Sequence, residues 1–210
     1  MENSKAYNLF IEQLHATGTK KMDGYNIRTL DDIYEWEREQ VEDIIWEKFM
    51  GRNDADLAIF MPKLVKYDGV YALRLKVDEF EVPSESSFSV AEVLYELTKE
   101  KIYFHILAKN YEDINDRLIK IKFVSRLSHL SKNKDVYDLL LDIYINDSEG
   151  VNQTTAINGI LYADGHLNKA DDMEEIISNI QLIRTFKKDS KDERKDIIKA
   201  YQENNHVIIL

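Results

Sequence analysis

The chain has 210 residues, of which 44% are hydrophobic, and it carries a formal net charge of -11. This composition is typical of a globular protein, and the negative charge argues against nucleic acid as a ligand, because phosphates would be repelled. With 7 Gly, 2 Pro and no Cys, the sequence favours helices over turn-rich sheet and excludes disulfides and thiolate metal sites.

The N-terminal sequence, MENSKAYNLFIEQLHATG, lacks the basic and apolar regions of a secretory signal. No stretch of the chain approaches the roughly 20 apolar residues that a membrane span needs. We therefore expect a cytoplasmic protein that does not act at a membrane. Its acidity favours a basic protein as its partner.

Apolar residues recur at helical spacing along nearly the whole chain. After a short apolar face at residues 9–14, Thr29 is expected to cap a helix that runs to about Phe49. The segment FMPKLVKYDGVYALRLKV, at residues 60–77, then places two apolar helical faces on either side of a Tyr-Asp-Gly turn. A capping box at residues 89–92 predicts the start of another helix.

The second half of the chain continues this pattern. Residues 114–131 are apolar around much of the helical circumference, which predicts a central, heavily buried helix. A capping box at residues 190–193 predicts the start of a last helix. The apolar sequence VIIL, at residues 207–210, is compatible with a short strand or with a tail docked on the final helices.

Several segments share one layout, in which an apolar helix, a polar turn and a second apolar helix follow each other. Two of them, at residues 123–144 and 156–180, are about 33 residues apart, which is in the range of helical repeats. The segments NDADLAIFMPKLVKYDGVYALRLKV and SVAEVLYELTKEKIYFHILAKN resemble degenerate HEAT-type repeats. The first has a Leu-x-x-x-Met-Pro-x-Leu helix before an Asp-Gly turn, and the second has the Ala-x-x-Leu spacing that lets repeat helices approach closely.

This resemblance implies an all-α fold, a HEAT-like α-α superhelix of stacked antiparallel helix pairs, with about ten short helices. An irregular helical bundle is the alternative. Because no linker divides the chain, we expect a single all-helical domain over residues 1–210, with N-terminal helices at 1–50 and repeats at about 53–205. In size, acidity and repeat type, the chain is also similar to small immunity proteins that neutralise bacterial polymorphic toxins.

Residues that would carry catalysis or bind metal are not apparent. Common catalytic and phosphate-binding motifs are absent, and the five histidines include no i, i+4 pair. The stretch DGHLNKADDMEE, at residues 164–175, resembles a calcium loop but has Lys169 where the sharp turn requires Gly. We therefore predict no catalytic residues, no metal site, no cofactor and no enzymatic activity.

The predicted helix at residues 30–49, LDDIYEWEREQVEDIIWEKF, is strongly acidic. From Asp31 to Glu47 it has eight acidic residues and one arginine. Helical geometry places six residues on a core face: Leu30, Ile33, Tyr34, Val41, Ile44 and Ile45. The opposite side is predicted to bind a partner through six others: Glu35, Trp36, Glu39, Glu42, Asp43 and Trp46.

The alternative interpretation of this helix is structural. The tryptophans would then pack against the N-terminal helix or the loop at residues 18–28, and the acids would form an ordinary solvated face. Under the functional interpretation, the tryptophans anchor a partner and the acids steer it.

The expected function is therefore that of a non-catalytic protein-binding module. The most specific version of this expectation is that the chain is an immunity protein that binds and neutralises a cognate basic toxin. The alternative is a HEAT-like scaffold or adaptor that binds a peptide or helix without inhibition.

Overall fold

The computed structural model describes residues 2–16, 24–52 and 54–204. Within these ranges the regular secondary structure is helical throughout, without strands, which confirms the predicted all-α class. The chain divides into two compact units, Met1–Asp113 and Ile114–Leu210. The single domain and the superhelical stacking of helix pairs stay predictions, and the VIIL segment lies outside the described residues.

In the first unit, the described residues form six α-helices and one 3₁₀ helix. In chain order they are α1 (Lys5–Leu14), α2 (Thr29–Asp32), α3 (Glu35–Arg52), the 3₁₀ helix (Ala55–Lys63), α4 (Gly69–Glu79), α5 (Glu85–Thr98) and α6 (Lys101–Asp113). The buried core of this unit contains the side chains Phe10, Val41, Ile45, Phe49, Phe60, Leu73, Phe88 and Leu94. Phe60 packs edge-on against Phe10, with ring centroids 6.0 Å apart, and so joins the 3₁₀ helix to α1.

The predicted helix pair at residues 60–77 is present, but its first member is the 3₁₀ helix. This helix ends at Lys63, directly after Pro62, which has no N–H to continue a helical ladder. The second member, α4, begins at Gly69. A Cβ at this position would lie 1.9 Å from the carbonyl oxygen of Met61, so only glycine permits this approach of α4 to the 3₁₀ helix.

Two predicted helix starts in the first unit are wrong. Thr29 is the first residue of α2 rather than its cap. The second wrong start is that of α5, which begins at Glu85. Ser84 caps this helix, because its side chain accepts a hydrogen bond from the Ser87 N–H at 3.0 Å. Ser89, the predicted cap, is buried inside the helix.

In the second unit, the described residues form six α-helices: α7 (Arg117–His129), α8 (Lys134–Asn146), α9 (Gly150–Ala163), α10 (Met173–Ser178), α11 (Ile180–Thr185) and α12 (Lys191–Glu203). Helix α9 packs against α7, α8 and α11, and α8 also packs against α12. The capping box at residues 190–193 is confirmed. Glu193 N–H donates to Ser190 Oγ at 3.2 Å, and Ser190 N–H donates to Glu193 Oε2 at 3.0 Å.

The helix predicted to be buried on most sides, α7, buries only one face. Phe123, Val124 and Leu127 are fully buried, but Leu118 is 72% exposed. The central helices of this unit are α8 and α9, because each of them packs against three other described helices. No helix in the described ranges is both long enough and apolar enough to cross a membrane.

Candidate protein-binding surface

The acidic segment at residues 30–49 forms two helices, α2 and α3, which are separated by Ile33 and Tyr34. The cause is Glu37, whose buried carboxylate accepts hydrogen bonds from the backbone N–H of Tyr34 at 2.9 Å and of Ser4 at 2.7 Å. Glu37 thus caps the N-terminus of α3 and ties it to the start of α1. Burial raises the pKa of the Glu37 carboxyl, but the hydrogen bonds outweigh this and leave the pKa below its ordinary value of 4.5.

Glu42 is buried, although the helical pattern places it on the solvated side. It is 1% exposed, and its carboxylate accepts hydrogen bonds from Arg38 Nε at 2.8 Å and from the backbone N–H of Val65 and Lys66 at 3.0 and 2.8 Å. The connection at residues 64–68, between the 3₁₀ helix and α4, folds over this part of α3 and supplies both amide donors. The predicted exposure of Glu42 is therefore wrong, because the carboxylate holds this connection in place.

Trp46 and Asp43 also contact the 64–68 connection. The Trp46 ring stacks on that of Tyr67, with centroids 4.4 Å apart and planes 8° from parallel. The Tyr67 hydroxyl donates to Asp43 at 2.6 Å, and Lys66 Nζ lies 2.7 Å from Asp43 and 2.9 Å from Glu39. Trp46 thus packs within the chain, as the structural interpretation expects, but its partner is Tyr67.

Much of the acidic charge of this segment is balanced locally. Hydrogen bonds from Lys66 and Tyr67 hold the pKa of Asp43 below its ordinary value of 3.8, and those to Asp43 and Glu39 raise the pKa of the Lys66 ammonium. Four basic residues pair with the acids of the segment: Arg28 with Asp32, Arg38 with Glu42, Lys63 with Asp31, and Lys66 with Glu39 and Asp43. The field that this region presents to a partner is therefore weaker than its sequence suggests.

The beginning of α3 carries the exposed part of the predicted site. Trp36 is 50% exposed, and its ring centroid lies 6.1 Å from that of Tyr34, which is 52% exposed. The Glu35 side chain is exposed and forms no hydrogen bond or ion pair with another described residue, while the Glu39 side chain is 78% exposed. The helical pattern missed Tyr34 and placed it on the core face, since that pattern assumes one continuous helix.

A shallow groove of about 340 Å³ lies beside these residues. It is lined by Glu35, Arg38, Glu39, Glu42, Val65 and Lys66. Val65 is 80% exposed, so the groove offers an apolar side chain close to carboxylates. We call the exposed group formed by Tyr34, Glu35, Trp36, Glu39 and Val65 the α3 patch.

Among the described residues, no group of three or more His, Asp or Glu side chains is arranged to hold a metal ion. In the stretch that resembles a calcium loop, Asp164 accepts hydrogen bonds from the hydroxyls of Tyr137 and Tyr201 at 3.0 and 2.9 Å. In comparisons with known proteins, no protein-family model, no curated protein and no solved structure matches this chain.

Proposed function

We propose that this chain is a non-catalytic protein-binding module that contacts a basic protein through the α3 patch. The observation that supports this proposal is the pairing of two half-exposed aromatic rings, Tyr34 and Trp36, beside the carboxylate of Glu35, which pairs with no other described side chain. Aromatic side chains dominate binding energy at protein interfaces, because a partner removes a large apolar area from water when it covers them. A neighbouring free carboxylate suits an arginine or lysine of that partner.

Within this class, we propose an immunity-type inhibitor that acts in the cytoplasm and neutralises a cognate basic toxin. The net charge of -11 and the resemblance to immunity proteins support this choice. A toxin that cleaves nucleic acid presents cationic side chains to the phosphates of its substrate. Glu35 and Glu39 would occupy such a channel in place of phosphates.

The six residues predicted from the sequence have different roles in this proposal. Trp36, with Tyr34, anchors the partner, and Glu35 and Glu39 steer it. Glu42, Asp43 and Trp46 support the patch from within the chain, since each of them contacts the 64–68 connection. Substitutions of Trp36, Glu35 or Glu39 should therefore weaken binding of the partner, whereas substitutions of Glu42 or Trp46 should lower the stability of the folded chain.

The test starts with capture of partners at low and high salt and continues with the binding kinetics of an identified basic partner. Trp36→Ala should raise the dissociation rate about tenfold or more, because a buried anchor is lost. Glu35→Gln combined with Glu39→Gln should mainly slow association. Tyr71→Ala, at a site on α4 that is 58% exposed, is the matched aromatic control and should leave both rates unchanged. Unchanged dissociation of Trp36→Ala would overturn the proposal.

The same measurements separate an inhibitor from a scaffold. An inhibitor abolishes the toxin's activity at stoichiometric concentration, and its association slows at high salt, because salt screens the exposed charges. A scaffold leaves its partner active, and its binding persists at high salt.

A further inference from the structure

The second unit contains a groove of about 310 Å³, formed where the end of α8, the start of α9 and α11 meet. Its walls are mainly apolar and include the side chains Tyr144, Ile157, Ile180, Ile183 and Phe186. This volume lies at the lower end of the range of about 300–1,000 Å³ that small-molecule pockets occupy. The groove therefore has the size and the lining of a site for a small, largely apolar ligand.

The deep wall of this groove is firmly held. The Tyr144 hydroxyl donates to the carbonyl oxygen of Phe186 at 2.5 Å, and the two rings pack edge to face with centroids 6.1 Å apart. Ile157 and Phe186 are each 2% exposed, so both belong to the core of the unit. A wall built this way is formed before a ligand arrives, which lowers the entropic cost of binding.

Two cationic side chains, Arg184 and Lys187, also line the groove, and none of the described acidic residues does. Neither cation forms an ion pair with another described residue. By contrast, Arg117 in the adjoining groove is paired with Glu149, at 2.8 Å.

The polar neutral groups of the groove already have partners within the chain. Gln153 Nε2 donates to the carbonyl oxygen of Asp147 at 2.7 Å, and the Thr154 hydroxyl donates to that of Gly150 at 2.8 Å. The charged groups of the groove, the guanidinium and the ammonium, have no described ion-pair partner, and both donate hydrogen bonds to anions.

We propose that this groove binds a small apolar molecule with one anionic head group, such as a medium-chain carboxylate. The apolar body lies against Ile157, Ile180 and Phe186, and the head group is bound by Arg184 and Lys187. This site lies in the second unit and does not depend on the function proposed for the α3 patch.

The test is a titration of the full chain, followed by the NMR amide shifts of groove residues such as Gly150 and Thr154. Octanoate should produce saturable shifts confined to the groove. Octanol should bind about tenfold or more weakly, because it lacks the charge-assisted hydrogen bonds, and octylammonium should not bind. Octyl phosphate, in a parallel titration, distinguishes a carboxylate from a phosphate as the preferred head group.

The second part of the test reverses the charge of the two cations in the groove. Arg184→Glu combined with Lys187→Glu should abolish the saturable shifts with octanoate. Lys191→Glu combined with Lys195→Glu makes the same change of net charge on α12, at residues that do not line the groove, and should leave the affinity unchanged. Equal affinities for octanoate and octanol, octanoate binding that survives the reversal at the groove, or no saturable shift at all would each overturn the proposal.

Discussion

The indole ring of Trp46 stacks on the phenol ring of Tyr67, with centroids 4.4 Å apart and planes 8° from parallel. Tyr67 belongs to the connection between the 3₁₀ helix and α4, so this contact fixes that connection to α3. Trp36, on the same helix, is 50% exposed. The two tryptophans of the chain therefore lie in different environments, and mutation of each should have a different effect.

Trp46→Ala should destabilise the protein by about 1–3 kcal/mol, because it removes the stacked ring and leaves the Tyr67 ring without its stacking partner. Trp36→Ala should change the free energy of unfolding by no more than about 0.5 kcal/mol, since half of its surface is already in water. Urea unfolding of both variants measures the difference. A loss of stability in Trp36→Ala as large as that in Trp46→Ala would contradict this assignment.

Glu42→Ala should destabilise the protein by about 2–4 kcal/mol, because Arg38 and the amides of Val65 and Lys66 lose their common acceptor in a buried place. The control is Glu39→Ala, the same change on the same helix, at a side chain that is 78% exposed. Its effect should stay within about 0.5 kcal/mol, as for most surface ion pairs. Equal midpoints of the two variants in urea would show that Glu42 does not hold the 64–68 connection.

Glu37 should make part of the protein's stability depend on acid pH. Because the folded-state pKa of Glu37 is below its ordinary value of 4.5, its contribution is fully present above that pH. The contribution is lost as the pH falls through the lower folded pKa. Urea unfolding between about pH 6 and about pH 3 should therefore show a steeper loss for the wild type than for Glu37→Gln. Parallel profiles would mean that the hydrogen bonds from Ser4 and Tyr34 do not favour the charged form.

Gly159→Ala should destabilise the second unit by about 1–3 kcal/mol, through overpacking. A Cβ at this position would lie 2.9 Å from Leu140 Cδ1 and 2.9 Å from the Cα of Ser128, so the Leu140 side chain would have to shift and α7 and α9 would have to move apart. Gly150→Ala, on the same helix, is the control, because a Cβ there meets nothing within 4 Å. This control should be neutral or slightly stabilising, by about 0.5–1 kcal/mol, and thermal unfolding of the pair checks both expectations. A neutral Gly159→Ala would show that the helix packing adapts.

Part of the candidate site could be predicted from the sequence. The exposure of Glu35, Trp36 and Glu39 follows from the helical period, which holds within a single helix. The helical period fails at Tyr34, because the helix is interrupted there. The Glu37 carboxylate stabilises this interruption, and it accepts a hydrogen bond from the backbone N–H of Ser4, 33 positions earlier in the chain. The period fails at Glu42 because residues 64–68 fold over this side of α3.

The groove in the second unit had no local signal in the sequence. Tyr144, Arg184 and Lys187 belong to no common motif in the sequence. These residues line the same groove only because α8, α9 and α11 pack together. No spacing along the chain predicts this, because the three helices belong to separate segments.

The sequence by itself determined the helical class of this protein and the capping box at Ser190 and Glu193, because both depend on residues within one or two helical turns. Tertiary structure decided which polar side chains are free. Glu42, Trp46 and Asp43 contact residues more than 20 positions away, whereas Glu35 and Trp36 remain exposed. The burial of a side chain and its hydrogen-bond partners depend on which other segments pack against its helix. The residue pattern of that helix alone does not show which segments these are.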